Sequence, residues 1–210
     1  MRCFNKKVHL NMRNQLNSIA RLKALLLGAA VALSPFTLNA ADTENGFDQT
    51  FKLHGIAFHV TSANEGSLNQ LEIAPSGLEI DNSVIKREID GTVTGADVAD
   101  ANGDGSPEIY IYTTSAGSGS YGQLIAYSAN NKKSLTEIYL PPLEDNPDNA
   151  RGYMGHDEFR LVENSMVRRF PIYQQGDSNA APTGGMHQLQ YKLTAGEAVW
   201  VFKLDKSMTY

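Results

Sequence analysis

Between residues 41 and 210 the apolar positions never hold a spacing of three and four long enough to line one face of a helix. They alternate instead, in short runs closed by turn-forming residues. Phe51 to Val60 alternates loosely, Leu71–Ile73 and Leu78–Ile80 flank Pro75-Ser76-Gly77 as a short hairpin, and Asp90-Gly91 turns the chain into Thr92–Val98. Glu108–Thr114 and Gln123–Ser128 enclose a small-residue loop, and Asn130-Asn131 leads into Leu135–Leu140. Phe159–Val162, Met166–Tyr173, His187–Leu193 and Ala198–Leu204 follow, with turns at Glu163-Asn164 and Thr194–Glu197. Short strands at near-regular intervals predict an all-β chain, an antiparallel β-sandwich or barrel-like fold of about eight strands. Ala41 to Gln49 is polar and reads as a frayed arm, and 41–210 reads as a single domain with enough residues to bury a full core.

Residues 1–40 read as a removed signal peptide. Arg2, Lys6, Lys7, Arg13, Arg21 and Lys23 precede the apolar run Ala24–Leu33, and Leu38-Asn39-Ala40 offers a cleavage site after Ala40; Met12 is an alternative start. Ten apolar residues are too few for a bilayer core, which takes about 20. The only cysteine, Cys3, lies in this leader, so 41–210 forms no internal disulfide and carries no lipid-anchoring cysteine.

Losing the leader sharpens the charge. The chain has 18 Lys and Arg against 23 Asp and Glu, and six of the bases but none of the acids precede residue 41, leaving 12 − 23 = −11. Such a surface repels nucleic acid and anionic membranes and speeds encounter with basic partners. Arg168-Arg169-Phe170-Pro171 is too short a basic patch to reverse that, and neither a nucleic-acid nor a membrane partner is expected.

Three stretches hold residues with chemistry to offer. Ser115 to Ser120 is entirely Ser, Gly and Ala, so it builds no core but turns tightly and approaches other surfaces closely; Tyr121 then supplies a rigid amphipathic side chain. Arg151-Gly152-Tyr153-Met154-Gly155-His156-Asp157 collects every kind of polar contact. A Ser-His-Asp hydrolase is disfavoured, because neighbours His156 and Asp157 would point apart on a strand and Ser118 lacks oxyanion donors, so no catalytic residue is assigned. Asp100, Asn102, Asp104 and Glu108 place oxygens at alternate positions around Gly105, a weak calcium candidate. Ile111 stands where an EF-hand needs an acid, and the same spacing equally makes Asn-Gly and Asp-Gly turns. His54, His59 and Trp200 read as structural.

The order of Ser118-Gly119-Ser120-Tyr121, Gly152-Tyr153-x-Gly155-His156-Asp157, Arg169-Phe170-Pro171-Ile172-Tyr173 and Pro182-Thr183-Gly184-Gly185 resembles the periplasmic inhibitors of invertebrate-type (i-type) lysozyme, across essentially all of 41–210. The resemblance implies a secreted bacterial all-β protein that evades host defence, works in the periplasm, and plugs a lysozyme active site with a Ser-Gly-x-Tyr loop. On this chain the motif is Ser118, Gly119 and Tyr121, with Ser120 between them; a second contact region is implied at Arg151, Gly152, Tyr153 and His156. The Ser118 hydroxyl and the Gly119 and Ser120 amides would donate to the enzyme's carboxyl groups, with Gly119 bare so that the tip reaches the groove floor. An i-type lysozyme is the implied partner, no cofactor is needed, and exposed sheet edges leave a homodimer open. The rival expectation is a calcium-dependent secreted adhesion or glycan-binding β-module built on the Asp100–Glu108 loop.

Overall fold

The segment Ile109-Tyr110-Ile111-Tyr112 is apolar or aromatic on both sides of its pleat, which suits a strand covered on both faces. The computed structural model, which describes residues 46–210, puts it there. Twelve strands form three four-stranded antiparallel sheets. The first holds β1 (Phe47–Leu53), β2 (Ile56–Ser62), β3 (Leu68–Ser76) and β4 (Ile85–Asp90). The second holds β5 (Thr92–Ala99), β6 (Glu108–Thr114), β7 (Gly122–Asn130) and β8 (Ser134–Glu137), and the third β9 (Glu158–Val162), β10 (Ser165–Pro171), β11 (Met186–Ala195) and β12 (Trp200–Thr209). In every sheet each strand pairs with its neighbour in the chain, so all three are meanders.

The second sheet is the shared middle layer. From one face Ile109, Ile111, Ile125 and Tyr127 meet Phe58, Val60, Leu71 and Ile73 of the first sheet. From the other, Tyr110 and Ala126 meet Met166, Phe170, Leu189, Tyr191 and Phe202 of the third. Alternation along β6 and β7 therefore feeds two cores. A parallel bridge between Tyr139 and Val201 ties the end of the second sheet to the third.

The expected all-β antiparallel sandwich is what forms, with more than the expected eight strands. Phe51 to Val60 is two strands, because His54 (φ 51°) and Gly55 (φ 87°) make a two-residue turn with both residues left-handed. Leu78–Ile80 is no strand: β3 continues through Pro75, which stands opposite Phe58 beyond the end of the β4 pairing, where a missing N–H is tolerated. Leu78 drops into the core instead, and the Glu79 and Ile80 amides bond the Lys132 and Lys133 carbonyls. The polar arm is shorter than expected, since residues from Phe47 on pair with β2. The leader, its cleavage site, Cys3 and Met12 lie outside the described residues.

Candidate functional site

The β6–β7 connection closes on itself at its base. The Ser115 amide donates to the Tyr121 carbonyl and the Tyr121 amide to the Ser115 hydroxyl, both at 2.9 Å. Within the loop the Ser120 amide donates to the Gly117 carbonyl at 2.9 Å, and Ser120 takes a left-handed φ of 44°. Ala116, Gly117 and Ser118 form an exposed tip. Among the described residues no hydrogen bond engages the Ser118 hydroxyl or the Gly119 amide. The Ser120 amide, expected as a donor to a partner, is instead spent on the loop's own turn.

The fold itself gives Gly119 a reason to be bare. A side chain there would stand 2.4 Å from Cε2 of Tyr121, so glycine lets the phenol fold back across the loop. Tyr121 as a whole remains 45% exposed. It meets Tyr153 edge-on at 5.8 Å, and Tyr153 meets the buried Phe170 edge-on at 4.8 Å, so three rings in edge-to-face contact run from solvent into the core.

The 152–157 stretch braces the loop from below. The His156 amide donates to the Gly119 carbonyl at 2.7 Å, and Gly155, at φ 94°, passes so close that a side chain would stand 2.1 Å from that same carbonyl oxygen. Gly152 approaches the chain just past β10 in the same manner: its carbonyl accepts from the Tyr173 amide at 2.8 Å, and a side chain would meet Ile172 at 2.7 Å. Arg151 stands apart, paired with exposed Asp148 at 3.0 Å.

Asp157 anchors all of this. Its buried carboxylate accepts from the Gly122 amide at 3.0 Å, the Tyr153 hydroxyl at 2.7 Å and the Arg168 Nε at 2.6 Å. The buried Arg168 guanidinium also donates to the Tyr153 hydroxyl at 2.9 Å and lies 5.0 to 5.6 Å from the ring centres of Tyr153, Phe159 and Phe170. Burial, and then the Asp157 carboxylate, pushes the Tyr153 phenol well above its usual range, so it stays a neutral donor. His156 turns away from Asp157, its Nε2 lying 3.2 Å from Oδ1 of Asn179. The residues read as a weak catalytic pair are thus a backbone brace and a buried counter-ion.

A third loop, 174–183, reaches the same place. Asp177 folds it, accepting from the Gln174 and Thr183 amides at 2.7 and 2.8 Å and from the Thr183 hydroxyl; the two amide bonds hold its carboxyl below the usual range. Asn179 donates from Nδ2 to the Ser118 carbonyl, while its own carbonyl accepts from the Tyr173 hydroxyl at 2.9 Å. Alongside, Tyr121, Gln123, Pro141, Pro142, Glu144 and Tyr153 bound an open groove of about 530 Å³.

Arg168 and Asn179 are working residues that sequence reasoning did not place here, and Asp157 lay in the 151–157 stretch without an assigned role. Asp157 and Arg168 stood out only as chemistry-bearing types, and nothing local marked Asn179.

The calcium candidates also come together. Oxygens of Asp100, Asp104 and Glu108 lie within 4.8 Å of one another. They are already engaged: Asp100 accepts from the Asp104 and Gly105 amides, Asp104 from Ser106, and Glu108 from Ala101, Tyr110 and Ser128. Asn102 accepts from the Asp104 amide at 2.9 Å. The loop is closed by its own donors.

Residues 60–150 match the family described as periplasmic lysozyme inhibitor of I-type lysozyme, a family of inhibitors and not of enzymes. The matched stretch contains the Ser118–Tyr121 tip and ends just before Arg151. No curated protein and no solved structure matches the chain.

Proposed function

We propose that this chain, which over residues 60–150 belongs to the family of periplasmic inhibitors of I-type lysozyme, acts by seating the Ala116–Tyr121 tip in the active-site cleft of its target. The observation that carries this reading is the combination of an exposed tip with a fixed backbone. Ala116 to Ser118 and much of Tyr121 face solvent, while the Gly119 carbonyl and the loop base are bonded to the body of the protein. A loop ordered before binding loses little further entropy on docking.

A glycosidase holds an acid and a second carboxylate across its groove. The Ser118 hydroxyl and Gly119 amide, engaged by no hydrogen bond among the described residues, would be the donors for such groups, and the Tyr121 ring would supply amphipathic area beside them. Tyr153 and His156 act from behind, through Tyr121 and the Gly119 carbonyl. The net charge of −11 on residues 41–210 favours fast encounter with a basic enzyme. No bond is made or broken; occlusion suffices. Delivery rests on the leader at residues 1–40.

Purified 41–210 is expected to abolish cell-wall hydrolysis by an I-type lysozyme near a 1:1 ratio. Tyr121→Ala should weaken inhibition by roughly 30-fold or more and Ser118→Ala by roughly tenfold, as for central aromatic and hydrogen-bonding anchors of an interface. Both should keep the parent melting temperature. Full inhibition by both variants would move the contact elsewhere, and no inhibition by the parent at large excess would end the reading.

A further inference from the structure

We propose that Asn179 is a positioning residue for inhibition, a latch whose side-chain amide joins the Ser118 carbonyl to the His156 ring and holds the tip in its docking conformation. This rests on the inhibitory reading above. The sides of the amide are fixed by chemistry. A backbone carbonyl only accepts, so Nδ2 must face Ser118; Oδ1 then faces Nε2 of His156, which must carry the proton.

The latch is built from three connections far apart in sequence. His156 already holds the next carbonyl along, at Gly119, through its amide. Asn179 is itself held, by the Tyr173 hydroxyl on its carbonyl and by the Asp177 fold of its loop, and the Tyr173 ring stacks on that of His156. Successive carbonyls of the motif are therefore fixed by two residues outside it. Ala116 to Ser118 bury nothing in either core, so no packing replaces the latch if it is lost. Few side chains serve this post: it needs a donor and an acceptor on one short planar group, which asparagine has and aspartate, when ionised, lacks.

The test is Asn179→Asp, which keeps the shape and replaces the donor with a charged acceptor, and Asn179→Ala as a second variant. In the free protein at pH 8, hydrogen exchange at the Ser120 and His156 amides should speed by about tenfold, the loss of one hydrogen bond, while the amide of Ile111 in β6 is unchanged. The dissociation constant for lysozyme should rise by about the same factor with no change in melting temperature. Toward pH 4 the carboxyl of N179D regains a proton to donate, and its deficit against the parent should shrink; N179A should show no such recovery. Unchanged exchange at Ser120 and His156 overturns the latch. Faster exchange with unchanged affinity overturns its role in inhibition. A parent that fails to bind lysozyme at all defeats the functional reading and the latch's role in inhibition with it, while exchange in the free protein still decides whether the tie to Ser118 exists.

Discussion

The two cores that share the middle sheet are built from different materials. Between the first and second sheets the buried polar side chains are neutral, as at Ser62, Asn69 and Thr113, among isoleucine, valine, leucine and phenylalanine. Between the second and third lie two separate buried polar clusters, Glu108 with Tyr110 and Ser128 at one end of the middle sheet and the charge network of Asp157 and Arg168 with Tyr153 at the other. An aliphatic core tolerates repacking and holds a fold; a buried charge network admits one arrangement and is costly to leave half satisfied. The loop proposed for docking grows from the end of the middle sheet and is braced entirely from the second side. One face of the molecule supplies stability and the other supplies position.

Removing one charge from that network should give the largest effect. Asp157→Ala leaves Arg168 buried without its partner and strips acceptors from the Gly122 amide and the Tyr153 hydroxyl. The expected loss in urea unfolding is about 3–5 kcal/mol, as for breaking a buried pair from one side. Ile73→Val in the aliphatic core should cost about 0.5–1.5 kcal/mol and leave inhibition untouched. Equal losses from the two would erase the contrast between the cores.

The next effect is a pH slope. Burial pushes Glu108 from 4.5 up to about 7, with Asp104 and Asp100 adding to the rise and the Ala101 amide and Tyr110 hydroxyl opposing it. Between those pH values the folded chain keeps a proton that the unfolded chain has released. Stability from this group is therefore present at low pH and lost as pH rises through 4.5 to 7, by about 3 kcal/mol in all. Glu108→Gln cannot lose that proton, so its urea stability should fall less steeply across the window than the parent's. Parallel curves for parent and variant would mean that Glu108 is charged in the fold without penalty.

The same contrast explains what could be read from the chain beforehand. Strands and their turns are local, and so was the Ser118–Tyr121 loop, a run of small residues between two apolar ones. The His54-Gly55 turn escaped because His-Gly is not among the usual Asn-Gly and Asp-Gly turn pairs and the surrounding alternation continues across it. The third layer escaped because a strand buried on both faces looks only like a rich apolar run. Asp157 and Arg168 meet because β9 and β10 form a hairpin in one register, with Arg168 opposite Phe159. Asn179 meets Ser118 across 61 residues, a distance over which no spacing rule reaches.

The smallest expected effect separates the inhibitor from the calcium-dependent rival. The Asp100–Glu108 loop gathers three carboxylates, the one feature that a cation site and a self-closed turn have in common. What distinguishes them is where the positive ends come from, and here the amides of Ala101, Asp104, Gly105 and Ser106 supply them. A calcium site occupied at 100 times its dissociation constant would stabilise the fold by about 2.7 kcal/mol, which for a chain of this size raises the melting temperature by roughly 5–10 °C. A loop already satisfied should give no resolvable shift when calcium is added or a chelator removes it, and lysozyme inhibition should be the same in both. A rise of several degrees with calcium, lost in a variant with Asp100→Asn and Asp104→Asn, would instead make this loop a cation site. The charged side of the molecule would then be held together by an ion as well as by Asp157 and Arg168.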